Sequence, residues 1–124
     1  MQFVIYGAGA VGGAVGASLS KSGHEVVLIA RGAHHDALVA RGLDFETPRG
    51  RDWLRIPTVA HPREVRWRPG TVLMLAMKTH DTAGALAQLV GLLPIDTPIV
   101  CLQNGVDSER QALRWFPNVY GVPV

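Results

Sequence analysis

The chain has few means of cross-linking itself. It contains one cysteine, Cys101, and a lone thiol excludes a disulfide framework within the chain. That suits a reducing compartment, so a cytoplasmic location is expected. Cys101 sits in an apolar, strand-like run and reads as a small core residue. Long apolar runs are missing: no stretch reaches the roughly 18 residues of a membrane span. The apolar N-terminus has no basic segment before it and is broken by glycines, unlike a secretory signal. Lysine is scarce, occurring only at Lys21 and Lys78 among 12 basic residues, which singles out Lys78. The net charge is only +2, so any basic site must come from local clustering. No His/Cys/Asp/Glu spacing reads as a metal site. No Ser-His-Asp arrangement can be argued from spacing. There is no internal repeat, linker or low-complexity segment.

What is present is globular. With 124 residues, 48% apolar and 18% charged, the chain fits one domain, residues 1–124, that buries roughly two-thirds of its unfolded surface. Gln2 to Tyr6 reads as a buried strand running into Gly7. From Ala10 to Lys21 the apolar Val11, Val15 and Leu19 share one helix face, and Gly23 closes the helix in the left-handed conformation. Glu25 to Ala30 is a second buried strand. Ala33 to Arg41 reads as a short helix ending at Gly42. Leu43 to Glu46 and Trp53 to Ile56 read as two strands around a Pro48-Arg49-Gly50 turn. Thr71 to Met77 is a buried strand, and Asp81 to Leu92 a helix with Asp81 near its N-cap. Pro98 to Leu102 is a strand, Asp107 to Trp115 a helix, and Val119 to Val122 a last strand. The alternation predicts a Rossmann-type, doubly wound α/β fold: a mainly parallel sheet covered on both faces, with a small β-hairpin insertion. A parallel sheet continues through crossovers, so an end at Val124, in or just after a strand, is expected to be a truncation of the domain.

Gly7-Ala8-Gly9-Ala10-Val11-Gly12 matches G-x-G-x-x-G between a strand and a helix. Gly7 permits the tight turn, Gly9 lets a pyrophosphate approach the backbone, and Gly12 allows close helix–strand packing. The helix N-terminus offers free N–H groups and the positive end of its dipole to phosphates. Arg31 lies just after the second strand, where an acidic residue would accept from a ribose 2′-OH. A guanidinium there pairs instead with a 2′-phosphate, which predicts NADP(H). Lys78 and Asn104 follow the next strands, at the carboxyl edge where ligands bind in open α/β sheets. Lys78 can donate to ribose oxygens or a carboxylate, and Asn104 can both donate and accept.

The combination of GAGAVGG (Gly7 to Gly13), Arg31, MKTHD (Met77 to Asp81) and QNG (Gln103 to Gly105) resembles the ketopantoate reductase (2-dehydropantoate 2-reductase) family along the whole chain. The resemblance implies that Gly7, Ala8, Gly9, Ala10, Val11 and Gly12 hold the pyrophosphate and that Arg31 holds the 2′-phosphate of NADP(H). It also implies that Lys78 and Asn104 contact the nicotinamide side, with Asn104 reaching the substrate as well. The family reaction is reduction of the ketone of 2-dehydropantoate to pantoate by NADPH, in pantothenate biosynthesis. The family's general-acid lysine belongs to a helical C-terminal domain that these residues do not include. No catalytic residue is therefore expected in this chain, the chain alone is expected to be inactive, and the face left by that domain is expected to self-associate.

Other residues read more plainly. His24 is expected beside the helix cap. His34 and His35 fall near a helix start and do not face one another, and His80 neighbours Lys78. Arg49, Arg51, Arg55, Arg63, Arg66 and Arg68 interleave with Trp53 and Trp67. Asp52 and Glu64 dilute this charge, so a solvated face is expected rather than a nucleic-acid surface. The expected partner is a small 2-oxo acid, with neither nucleic acid nor membrane. Two other functions stay open: reduction of another 2-oxo acid or ketone, and a non-catalytic nucleotide-binding module.

Overall fold

A computed structural model describes residues 1–103 and 107–122. The elements are β1 (Gln2–Tyr6), α1 (Ala10–Lys21), β2 (Glu25–Ile29), α2 (Gly32–Arg41), β3 (Leu43–Thr47), β4 (Gly50–Leu54), β5 (Thr58–Val59), β6 (Thr71–Leu75), α3 (Thr82–Leu89), β7 (Ile99–Cys101), α4 (Asp107–Leu113) and β8 (Val119–Gly121). Single 3₁₀ turns occupy Pro62–Glu64 and Thr79–Asp81. Six strands form one sheet in the order β5-β2-β1-β6-β7-β8, and every pairing in it is parallel. With the β3–β4 hairpin set aside, this is the 3-2-1-4-5-6 order of a doubly wound dinucleotide fold. The chain winds outward from β1 through β2, then returns to the other side of β1 with β6. The point of reversal lies between the carboxyl ends of β1 and β6.

Strand alternation explains why both faces are covered. On β1, Val4 and Tyr6 join one core cluster and Ile5 the other. On β6, Leu73 and Leu75 go to the first face, while Met74, with Ala76 just past the strand's end, packs on the second. Leu86 and Leu89 of α3 and Ala112 of α4 cover the first face; Ala17 of α1 and Leu38 of α2 cover the second. Neighbouring side chains on a strand point to opposite faces, so a strand buried on both sides is apolar except where buried polar groups satisfy one another, as where Thr71 Oγ1 donates to Gln2 Oε1 at 2.6 Å.

The burial of α1 differs from the sequence expectation. Its buried residues are Gly12, Gly13, Gly16 and Ala17, whereas Val11 is 37% exposed and Val15 and Leu19 only flank the core. The cause is proximity. A Cβ on Gly12 would fall on the Gly7 carbonyl oxygen and 3.0 Å from Ala76 Cβ, and one on Gly16 would lie 3.1 Å from both Ile5 Cδ1 and Leu28 Cδ2. The helix lies so close to the sheet that only its small residues fit beneath it.

Other boundaries moved as well. The second hairpin strand is Gly50–Leu54 rather than Trp53 to Ile56, because Pro48-Arg49 makes a two-residue turn that pairs Thr47 with Gly50 and Asp44 with Trp53. Trp53 is 52% exposed; its ring lies 5.2 Å from the Arg51 guanidinium, which in turn binds Asp44. The short edge strand β5 was not expected. Helix α3 begins after the 3₁₀ turn and ends where Val90 takes an extended ψ of 125°. Asp81 does occupy its N-cap position but makes no side-chain capping bond. Strands β6 and β8 stop short of Met77 and Val122, and α4 stops short of Trp115. Gly23 follows α1 with φ +91°, as expected. Cys101 is buried, and burial, with Glu109 nearby, pushes its thiol pKa up to about 11. Among the described residues no helix is long and apolar enough to cross a membrane.

Two outcomes follow from this packing. Gly12→Ala should lower stability by about 1–3 kcal/mol, because the methyl group meets a backbone carbonyl that cannot yield without moving the β1–α1 turn; a thermal melt reads this directly. Cys101 should react negligibly with a thiol reagent at pH 8 in the native chain and at an ordinary rate in urea.

Candidate functional site

At the point of reversal the carboxyl ends of β1, β2 and β6 open a cleft of about 450 Å³, lined by Gly7, Ala8, Gly9, Arg31, Met77 and Lys78 among others. The turn off β1 shapes its floor. Gly7 has φ +102°, and a Cβ there would lie 2.7 Å from the Met77 nitrogen. Glycine is therefore required at this position twice over, by conformation and by space. The Gly7 N–H donates to the Ile29 carbonyl at 3.0 Å and the Ala76 N–H to the Tyr6 carbonyl at 2.8 Å. These bonds tie the turn to the strands on both sides.

Gly9 is different. It is exposed, its φ of −72° is open to any residue, and a Cβ on it would meet nothing within 4 Å. Nothing in the described protein requires glycine here; the position faces the cleft. The first bond of α1 runs from the Gly13 N–H to the Gly9 carbonyl at 2.7 Å. The N–H groups of Ala10, Val11 and Gly12 precede it and have no acceptor within the helix. With the helix dipole they make the end of α1 receptive to an anion.

Two cations flank the opening. Arg31 is the exposed N-cap residue of α2, and Lys78 is the exposed residue preceding the Thr79–Asp81 turn. Neither takes part in an ion pair among the described residues, whereas Lys21, Arg51 and Arg68 are paired with Asp52, Asp44 and Glu25. His34 and His80 also line the cleft, with Asp81 beside them. A smaller recess of about 130 Å³ continues from it between Arg31, Asp81, Gly84 and Gln88. Tyr6, Arg31, Met77 and Asp81 line both, and the Tyr6 hydroxyl donates to Gln88 Oε1. Burial raises the Tyr6 pKa; the nearby Arg31 charge opposes that shift and Asp81 adds to it. The hydroxyl therefore stays a neutral donor.

Of the residues singled out in sequence, Gly7, Ala8, Gly9, Arg31 and Lys78 come together around one cleft. Gly12 supports it from below, and Ala10 and Val11 stand exposed in the first turn of α1. Asn104 and Gly105 lie outside the described residues. Tyr6, Asp81 and Gln88 were not anticipated; Tyr6 read as an ordinary core residue of β1, and only the tertiary fold brings Gln88 to it. A wider concavity of about 680 Å³ lies between α1 and the hairpin. Its Lys21 and Arg51 are neutralised by Asp52 and Asp44, while Arg49 on its rim stands outside ion pairs among the described residues, and it has no helix N-terminus aimed into it. In the basic stretch, Arg51 and Arg68 are paired as above and Arg55 donates to the Val39 carbonyl at 3.0 Å.

Similarity to known proteins runs over nearly the whole chain. Residues 3–122 match the family described as Ketopantoate reductase PanE/ApbA. The 2-dehydropantoate 2-reductase of Mesorhizobium japonicum is 36% identical over 107 residues, which is 86% of this chain and 32% of that protein. The PanE/ApbA family ketopantoate reductase from Ralstonia eutropha JMP134 superposes with a TM-score of 0.85 at 30% identity, over 98% of this chain and 40% of the other. A D-mandelate dehydrogenase solved with NADH and anilino(oxo)acetate gives a TM-score of 0.87 at 29% identity, over 99% and 40% respectively. The chain spans about a third of the length of the curated relatives it matches. The family match covers residues 3–122, nearly the whole chain, and the chain belongs to the ketopantoate reductase family.

Proposed function

We propose that this chain is the NADP(H)-binding portion of a ketopantoate reductase-like oxidoreductase, acting in NADPH-dependent reduction of 2-dehydropantoate to pantoate. The observation that carries the reading is Gly9, a glycine the protein's own packing does not need, placed at the mouth of a helix N-terminus between Arg31 and Lys78. A cofactor pyrophosphate fits that open space and the unpaired N–H groups of the first turn. Arg31 would take the 2′-phosphate through its planar fork. Lys78 would lie toward the nicotinamide half, and the family resemblance assigns Asn104 to that half and to the substrate. When bound, NADPH supplies the hydride. The chain's part is to orient the cofactor at the sheet edge and to hold its phosphates with N–H groups and cations. Reduction of a ketone also needs a proton donor for the forming alkoxide, worth about 10²–10⁴-fold in rate. We place that donor, and most substrate contacts, outside these 124 residues; the partner in the reaction is a small 2-oxo acid, and the setting is cytoplasmic.

The likeness to the D-mandelate dehydrogenase favours a second reading, in which the same scaffold serves a reductase of another 2-oxo acid or ketone. Its NADH contrasts with the phosphate preference that Arg31 implies here, so the two readings differ in a measurable way.

Calorimetric titration should show tighter binding of NADPH than of NADH. Arg31→Ala should remove about 1.5–3 kcal/mol from NADPH binding, or about ten- to a hundredfold, with little effect on NADH. Equal affinities in the wild-type chain would overturn the phosphate assignment. Gly9→Val should abolish binding of both cofactors while leaving the melting curve close to wild type; retained binding in the folded variant would remove the glycine turn from the site. With 2-dehydropantoate present, the 124-residue chain should oxidise NADPH far below the roughly 1–10³ per second of ordinary enzymes. Turnover in that range would place the proton donor inside the chain, at Lys78 or His80.

A further inference from the structure

A buried polar cluster lies beneath the Lys78 side of the cleft. Gln103, 6% exposed, follows β7 by two residues, and Thr82 and Ser108, 0% and 1% exposed, stand near the starts of α3 and α4. The Gln103 amide donates twice from Nε2, to the Met77 carbonyl at 2.5 Å and to Thr82 Oγ1 at 2.9 Å. Thr82 Oγ1 in turn lies 3.5 Å from Ser108 Oγ. Gln103 Oε1 is buried with no hydrogen-bond partner among the described residues. An unmet acceptor in a core is costly, so packing alone gives no reason for glutamine here; a methionine would fill the volume without that cost. The two donated bonds are what distinguish glutamine. One grips the peptide group whose nitrogen belongs to Lys78, and the other holds the first residue of α3. Between them the Asp81 N–H donates to the Lys78 carbonyl at 2.9 Å. The short segment from Met77 to Thr82, with Lys78 inside it, is thus clamped at both ends by one side chain from the neighbouring strand end.

We propose that Gln103 is a positioning residue that sets Lys78 against the half of the dinucleotide remote from Arg31. This rests on the NADP(H) reading of the cleft. A dinucleotide lies across the point of reversal. With the pyrophosphate at the β1 turn and the 2′-phosphate at Arg31 on the β2 side, its other half falls on the β6–β7 side, where Lys78 and Gln103 are. Gln103 touches neither cofactor nor substrate in this account; it acts through the Met77–Lys78 peptide.

The test separates the two halves of the ligand. NADP⁺ and the fragment adenosine 2′,5′-bisphosphate are titrated by calorimetry into the wild-type chain and into Gln103→Met, Gln103→Glu and Thr82→Val. Gln103→Met should weaken NADP⁺ about tenfold, the loss of roughly one donated bond, and the fragment less than about twofold. Thr82→Val should shift the ratio in the same direction by less, and it carries the test if Gln103→Met fails to fold. In Gln103→Glu an ionised carboxylate cannot donate to the Met77 carbonyl, but a protonated one can, and burial favours the protonated form. The NADP⁺-to-fragment affinity ratio of that variant, divided by the wild-type ratio at the same pH so that protonation of the fragment's terminal 5′-phosphate and other changes common to both chains cancel, should therefore recover between pH 8 and pH 5. A merely structural role would weaken both ligands alike and give no such recovery. Equal losses, or no loss of either, would overturn the inference while leaving the cofactor reading intact. A wild-type chain that binds neither ligand would overturn the cofactor reading and this inference together.

Discussion

The close approach of α1 to the β1–β6 junction is the constraint on which the rest of the structure depends. Gly12 sits against the Gly7 carbonyl and the Ala76 side chain, and the Gly7 turn sits against the Met77 backbone. No side chain fits between these groups. The helix is therefore drawn down until its N-terminal N–H groups point across the top of the sheet, at the place where the winding reverses. A helix one methyl group further out would lose both the packing and the aim of those groups. Stability and site are set by the same contact, and Gly9 is the one glycine of the motif that contact does not require.

Charge follows the same economy. The chain carries many arginines, yet several are engaged by its own residues: Arg51 by Asp44, Arg68 by Glu25 and Arg55 by the Val39 carbonyl. Arg31 and Lys78 are not in ion pairs among the described residues, and both line the cleft. A free guanidinium and a free ammonium on opposite flanks of a helix N-terminus form a field suited to an elongated, multiply charged anion. Exposed ion pairs of the hairpin kind contribute little to stability, and Arg41, Arg49, Arg63 and Arg66 also stand outside ion pairs among the described residues; what sets Arg31 and Lys78 apart is that both line the cleft.

The parts legible in sequence were those where local chemistry and fold coincide. The strand–glycine turn–helix unit, Arg31 after β2 and Lys78 after β6 all fall where the motif and the edge rule put them. The helix face differs from the sequence expectation because Val11, Val15 and Leu19 outweigh glycines on any apolar scale, although a very close interface selects the smaller residues. The hairpin shifted because the sequence reading starts its second strand at Trp53, whereas the Pro48-Arg49 turn fixes the register, starts the strand at Gly50 and leaves the Trp53 ring outside against Arg51. Edge strand β5 has two residues, too few to show a period. Gln103 read only as part of the loop that carries Asn104; its hold on Met77 and Thr82 joins positions 21 to 26 residues apart and could be seen only once the strands were in order.

The central claim is that a phosphorylated dinucleotide occupies the cleft between the β1 turn, Arg31 and Lys78. It is tested most directly by titrating NADP⁺ into the ¹⁵N-labelled 13.3 kDa chain and following its amide resonances. Saturable shifts are expected at residues 8–13, at Arg31 and the start of α2, and at Met77 and Lys78, with the hairpin unaffected. Shifts centred on the concavity between α1 and the hairpin, or none at saturating ligand, would contradict it.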